Sequence, residues 1–300
     1  MGVYLNNLLS YPDKPFDNPE ILVPGTDEVL FKPVQLDPTV LYAKEARLIE
    51  LIKQNKREGR RCLVYATYTG KKDVSPRLKD ILTREGIKAI ILRSSVKPEK
   101  REEWLADKVY KGYDVVICNP TLIETGLDCI DFPTIIFYQT GYNLFTLRQA
   151  SRRSYRPGQK KDVHVYFLVY ADTLQEAAIR LMGAKLEASL SIEGDFSEEG
   201  LRMMGSGFGQ DVGTALAKAL VHGLDGVDSA EEIWGRMGYG PIAYQEETQE
   251  AKSTSDTPVV GGPASPGLIK IIEIKVKKRN MQHEVVQLGW DFDSLGGLGA

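Results

Sequence analysis

Five short runs rich in β-branched and aromatic residues, alternating with stretches of helical periodicity, constrain this chain more than any other feature. The runs are RCLVYA (61–66), IKAIILR (87–93), YDVVIC (113–118), TIIFYQ (134–139) and VHVYFLV (163–169), and each has the composition of a buried strand. Helical stretches fall between and after them: Pro76 to Glu85 behind a cap at Ser75, Pro98 to Lys111 ending at Gly112, Asn143 to Arg156 ending at Pro157-Gly158, and Asp172 to Leu186. In the last, Thr173 and Glu176 have the spacing of a capping box. An earlier helix is expected from a cap at Asp37-Pro38 to Gly59, with Leu41, Leu48, Leu51 and Ile52 on one face. Strict β/α alternation implies right-handed crossovers, so the expectation is an α/β fold: a largely parallel sheet with helices on both faces.

The flanks read differently. Residues 1–38 are Pro- and Asn-rich (YPDKPFDNPEILVPG) and predict an extended lead-in. The main domain is expected over 39–194, followed by a small helical extension at 195–240. Residues 241–300 read as a flexible linker (EETQEAKSTSDTPVVGGPASPG) and a short strand-forming tail, LIKIIEIKVKKR, together a small irregular appendage. A single strand cannot bury itself, so that tail is expected either to join another sheet or to stay poorly ordered.

Composition limits the function classes. The 38 Lys+Arg against 41 Asp+Glu leave a formal charge of −3, so any nucleic-acid contact has to come from a local patch. Cys62, Cys118 and Cys129 form no C-x-x-C pair, and His164, His222 and His283 are far apart; no metal site is expected. No signal pattern follows Met1, and no apolar run approaches the roughly 18 residues of a membrane span. The expectation is a cytoplasmic protein with no membrane partner.

In such folds chemistry gathers in the loops at the carboxyl ends of strands. In RQASRRSYRPGQKK (148–161), Gln149, Arg153 and Arg156 are four and three residues apart and share one helical face. Paired guanidinium groups suit phosphate oxygens, and an inserted arginine in phosphoryl transfer is worth roughly 10³ to 10⁵ in rate. The same spacing also suits a solvated basic helix face. In NPTLIETGLDCIDFP, Gly126 permits a tight backbone, Asp128 offers a carboxylate suited to ribose hydroxyls and Thr121 a hydroxyl suited to a phosphate. A plain strand-to-strand turn carries Gly-x-Asp equally well.

Two segments carry a resemblance. TLIETGLD resembles motif V of the branch-migration and transcription-repair coupling translocases, T-x-I-E-x-G-x-D, through Thr121, Ile123, Glu124, Gly126 and Asp128. QASRRSYRPGQ is similar to motif VI of the Swi2/Snf2-type translocases, Q-x-x-G-R-x-x-R-x-G-Q, through Gln149, Arg153, Arg156, Gly158 and Gln159; Arg152 stands where that motif has Gly. RRCLVYATYTG and ILRSSVKPEKREEW stand where the family has its preceding elements. The resemblance covers roughly residues 40–190, and identifies the chain as similar to the C-terminal, RecA-like half of superfamily 2 helicases and translocases, with the lead-in similar to the linker between the two halves.

This resemblance implies roles. Arg153 and Arg156 would be the arginine contacts to a transferring phosphate, and Gln149, Gly126 and Asp128 would meet the nucleotide. Thr67, Ser95, Thr121 and Glu124 would meet the nucleic acid, DNA rather than RNA by the motif VI analogy. For Thr67 and Ser95 a helix cap or turn is the alternative.

ATP hydrolysis in this class also needs a Gly-rich phosphate loop and an acidic pair for magnesium. The nearest candidate, Tyr68-Thr69-Gly70-Lys71-Lys72, lacks the first glycine and the Ser/Thr after lysine. ATP and Mg are therefore expected only together with an N-terminal RecA-like half, in cis or in trans, and the chain alone is not expected to hydrolyse ATP. Two other readings stay open: a non-catalytic nucleic-acid or protein-binding module derived from such a helicase, and an unrelated doubly wound domain.

Overall fold

The computed structural model describes residues 2–23, 25–123, 127–139, 154, 158–192, 228–229, 232–233 and 269–276. Its centre is a sheet of order β4-β5-β3-β6-β7-β8, made of β3 (Cys62–Tyr65), β4 (Ala89–Ile91), β5 (Val115–Cys118), β6 (Thr134–Phe137), β7 (Val163–Tyr170) and β8 (Ile269–Val276). β3 to β7 are mutually parallel, and β8 runs antiparallel along β7 from Val163↔Val276 to Tyr170↔Ile269. The expected α/β sheet is thus present, and the strand-forming tail joins it at one edge.

The strands are apolar at successive positions because both faces are covered. On one face Leu63, Tyr65, Val116, Cys118, Ile135, Phe137, Val165 and Phe167 pack with Leu105 of α4 (Arg101–Tyr110) and Ala178, Ile179 and Met182 of α5 (Leu174–Ile192). On the other, Val64, Val115, Ile117, Ile136 and Leu168 meet Leu48 and Ile52 of α2 (Ala43–Arg57) and Leu78 and Leu82 of α3 (Ser75–Arg84). Side chains alternate across a strand, so each short run feeds both layers.

Helix starts depart from expectation where side chains offer competing hydrogen bonds. α2 begins at Ala43, not after Asp37. The Asp37 carboxylate instead accepts from the Thr39 amide (2.8 Å) and hydroxyl (2.7 Å), closing a local turn, and the Glu45 carboxylate caps the helix by accepting from the Tyr42 amide at 3.0 Å. α3 starts at Ser75 itself, whose amide donates to the Asp73 carboxylate at 2.8 Å. At α5, Thr173 accepts from the Gln175 amide and Glu176 from the Asp172 amide, a box shifted by one residue from the expected one. The expected helix over 143–156 lies outside the described residues.

The expectation of an extended lead-in over 1–38 is corrected. Gly2–Ser10 forms α1, with Leu5 and Leu9 buried; Ile21–Leu22 (β1) and Val29–Phe31 (β2) pair as a small hairpin. Leu5 and Leu9 lie one turn apart, enough apolar surface to seat a short helix against the α5 layer. A buried ion pair fixes the segment: Lys44 Nζ lies 2.6 Å from Asp13 Oδ1 and 3.1 Å from Gln175 Oε1, over the Tyr138 ring, while Gln175 donates to the Leu9 carbonyl at 2.8 Å. Burial pushes the Asp13 carboxyl up and the Lys44 ammonium down. Arg77 of α3 adds a second clasp, stacked over Phe16 and Tyr42 and bonded to the Glu45 carboxylate and to the Pro38 and Val40 carbonyls.

At the amino ends of the strands Arg60 is buried. It donates to Thr134 Oγ1 (2.9 Å) and to the Pro133 (2.8 Å) and Asp162 (2.6 Å) carbonyls, and Thr134 in turn donates to Asn55. This arginine satisfies backbone acceptors that the sheet leaves over.

Candidate nucleotide and nucleic-acid site

The carboxyl ends of the strands carry the candidates. β4, β5 and β3 are neighbours and end in step, with Ile91↔Ile117 and Tyr65↔Cys118 paired. The ladder runs one bond further through Leu92 N to Ile117 O (2.9 Å) and Ala66 N to Cys118 O (3.0 Å). Ser95, Thr121 and Thr67 therefore follow three adjacent strand ends, in that spatial order.

Each is held by a different local device. Ser95 is exposed in a turn closed by Val96 N to Arg93 O at 3.1 Å. Thr121 is exposed in the 3-10 turn Pro120–Leu122, where Asn119 Oδ1 accepts from its amide (3.0 Å) and its hydroxyl (2.7 Å). The same Asn119 donates its Nδ2 to the Thr67 carbonyl at 2.8 Å. Thr67 is half-buried and donates its hydroxyl to the Gln139 carbonyl at 2.8 Å, while Gln139 Oε1 accepts from the Tyr68 amide. Both threonine hydroxyls spend their proton inside the fold, so donating to an external phosphate requires exchanging that partner, which costs least at exposed Thr121.

Arg101, at the start of α4, spans the other gap. Its Nε donates to the Val96 carbonyl at 3.1 Å and its Nη1 to the Leu122 carbonyl at 2.9 Å. Charge on this end is locally basic: Lys71 and Lys72 follow β3, with Lys72 Nζ 5.9 Å from the Tyr68 ring centroid and its ammonium pulled down by burial. Asp73 pairs with Arg93 at 2.7 Å.

Of the remaining expected residues, Asp128 is exposed between buried Leu127 and Cys129. Glu124, Gly126, Gln149, Arg153 and Arg156 lie outside the described residues. The QASRRSYRPGQ segment is tied just beyond the TLIETGLD segment, since Gln159 Nε2 donates to the Ile130 carbonyl at 2.8 Å, and to the Ser154 carbonyl at 3.1 Å. Among the described residues no group of His, Cys, Asp and Glu is arranged to hold a metal, and no helix is long and apolar enough to cross a membrane.

Sequence reading missed Asn119, Gln139 and Arg101. Asn119 had a signal, since Asn-Pro after a strand starts turns. The other two had none, because their partners are carbonyls contributed by distant segments.

The strands β3 to β6, the TLIETGLD segment and all of the QASRRSYRPGQ segment but Gln159 fall within a stretch, residues 43–158, that matches the family model of the helicase conserved C-terminal domain. Over residues 43–158 the chain is similar to the helicase conserved C-terminal domain. The chain is 24% identical over 233 residues to the ATP-dependent helicase fft2 of Schizosaccharomyces pombe, covering 76% of this chain and 17% of that protein. It is 26% identical over 201 residues to Helicase SWR1 of Cryptococcus neoformans (62% and 16%). It is 31% identical over 134 residues to the chromatin-remodeling ATPase INO80 of Neurospora crassa (44% and 7%). This chain spans less than a fifth of the length of each of these relatives. The C-terminal part of the Fun30 ATPase domain aligns at 23% identity with a TM-score of 0.42, over 49% of this chain and 46% of that one.

Proposed function

We propose that this chain acts as the C-terminal half of an ATP-dependent nucleic-acid helicase or translocase working on DNA. The row of Ser95, Thr121 and Thr67 over three adjacent parallel strand ends, inside a helicase C-terminal domain, carries the reading. Thr67, Ser95, Thr121 and Glu124 grip the strand backbone. Arg153 and Arg156 offset charge on the γ-phosphate of ATP held by an N-terminal RecA-like half, and Gln149, Gly126 and Asp128 meet the nucleotide. Magnesium and the phosphate loop come from that other half.

Two measurements test this. Mixed with an N-terminal helicase half, the chain is expected to give ATPase activity stimulated by nucleic acid and abolished by Arg153→Ala; the absence of any stimulated activity sinks the ATP-site part. Alone, it is expected to bind labelled DNA more tightly than RNA of the same sequence, with salt-sensitive affinity weakened by Thr121→Ala. Binding indifferent to nucleotide and to Arg153→Ala in the mixed system makes it a non-catalytic module instead.

A further inference from the structure

We propose that Arg101 is a positioning residue for strand binding, one that fixes the spacing of Ser95 and Thr121 without touching the nucleic acid; this rests on the strand-gripping role proposed above. Arg101 is buried, with a relative exposure of 7%. Its two hydrogen bonds go to the carbonyls of Val96 and Leu122, the residues immediately after Ser95 and Thr121. One planar group thus ties the loop after β4 to the loop after β5. Among the described residues no carboxylate pairs with it.

A buried cation without a counter-ion is costly, and an apolar side chain would fill the same space more cheaply. What only arginine provides is a rigid fork whose N–H groups reach two acceptors in fixed relative geometry; lysine offers one flexible point. Neighbouring strand ends stand about 4.8 Å apart. A hydrogen bond to phosphate is lost when a donor moves by about 1 Å, so two hydroxyls on separate loops act together only if the loops are held in register. Thr67 supplies an internal control. It is tied to the site through Asn119 and Gln139, not through Arg101.

The test is a set of double-substitution cycles, read as affinity for labelled single-stranded DNA. Arg101→Lys keeps the charge and loses the fork; Arg101→Gln loses both. Each is expected to weaken binding about ten-fold. In either background Ser95→Ala and Thr121→Ala should add less than about two-fold, while Thr67→Ala keeps the fold-effect it has in the wild type. Wild-type affinity in Arg101→Lys, or full effects of Ser95→Ala and Thr121→Ala in that background, overturns the proposal. Amide exchange on the DNA-free chain reads the brace separately: residues 94–97 and 121–123 should lose protection together in Arg101→Lys, and unchanged protection in both segments overturns it. Absence of DNA binding by the wild type, with exchange coupled as expected, refutes the strand role and leaves the brace as a structural tie.

Discussion

Lys44 and Asp13 face each other at 2.6 Å with each side chain only 1% exposed, joining the first helix of the domain to a segment thirty-one residues earlier. Breaking such a pair from one side strands a buried charge. Lys44→Met is expected to destabilise the chain by about 3–5 kcal/mol, whereas the double change Asp13→Leu/Lys44→Met restores most of that loss. Urea denaturation of both variants checks this, and equal loss in the two would contradict it.

Arg60 and Arg153 should respond oppositely to substitution. Arg60→Ala leaves the Pro133 and Asp162 carbonyls without their donor and is expected to cost about 2–4 kcal/mol. Arg153→Ala, on the nucleotide role proposed above, is expected to change stability by less than about 0.5 kcal/mol. Thermal melts of the two variants side by side separate a structural arginine from a functional one.

Asp73 supplies an acid-sensitive increment. Burial pushes its carboxyl up, but the Arg93 guanidinium and the Ser75 hydroxyl and amide together carry it below its ordinary value of 3.8. A folded-state pKa that is depressed adds stability present above the unfolded value, about 3.9, and lost as pH falls through the lowered folded value. Asp73→Asn should therefore be the less stable protein at neutral pH, by no more than about 1 kcal/mol because Arg93 is half-exposed. The difference from wild type should vanish at strongly acidic pH, as read by denaturant titration at both ends.

Asn119 is expected to matter for folding and binding alike. Asn119→Ala frees the Thr67 carbonyl and the Thr121 amide at once, at a cost of about 1–3 kcal/mol. Strand affinity should fall further than in Thr121→Ala. Anisotropy titrations below the melting range check this, and an effect no larger than that of Thr121→Ala would place Asn119 outside the grip.

Most of the sheet was legible because its strands are covered on both sides, so runs such as CLVY and VVIC stand out as uninterrupted apolar blocks. α1 was not, because its apolar stripe occupies only 9 residues beside a Pro- and Asn-rich stretch. Asp37-Pro38 misled for a definable reason: the Asp side chain that could cap a helix closes a turn on Thr39 instead. At the site, Thr121 could be named from its residue type in the loop after a strand, and Thr67 and Ser95 only through the family resemblance. Their supports could not, since Arg101 reaches a carbonyl 21 residues away and Thr67 one 72 residues away, distances over which local pattern carries no information.

The strand contributed by Ile269–Val276 bears none of the chemistry argued above, yet it pairs with β7 along its whole length. Without it, eight residues of a strongly apolar strand would present an open row of amides and carbonyls, a template on which an extended peptide could pair. The tail thus works as a hem: it moves the border of the sheet from that apolar strand to one carrying Lys270, Glu273 and Lys275, more than a hundred residues beyond the last motif.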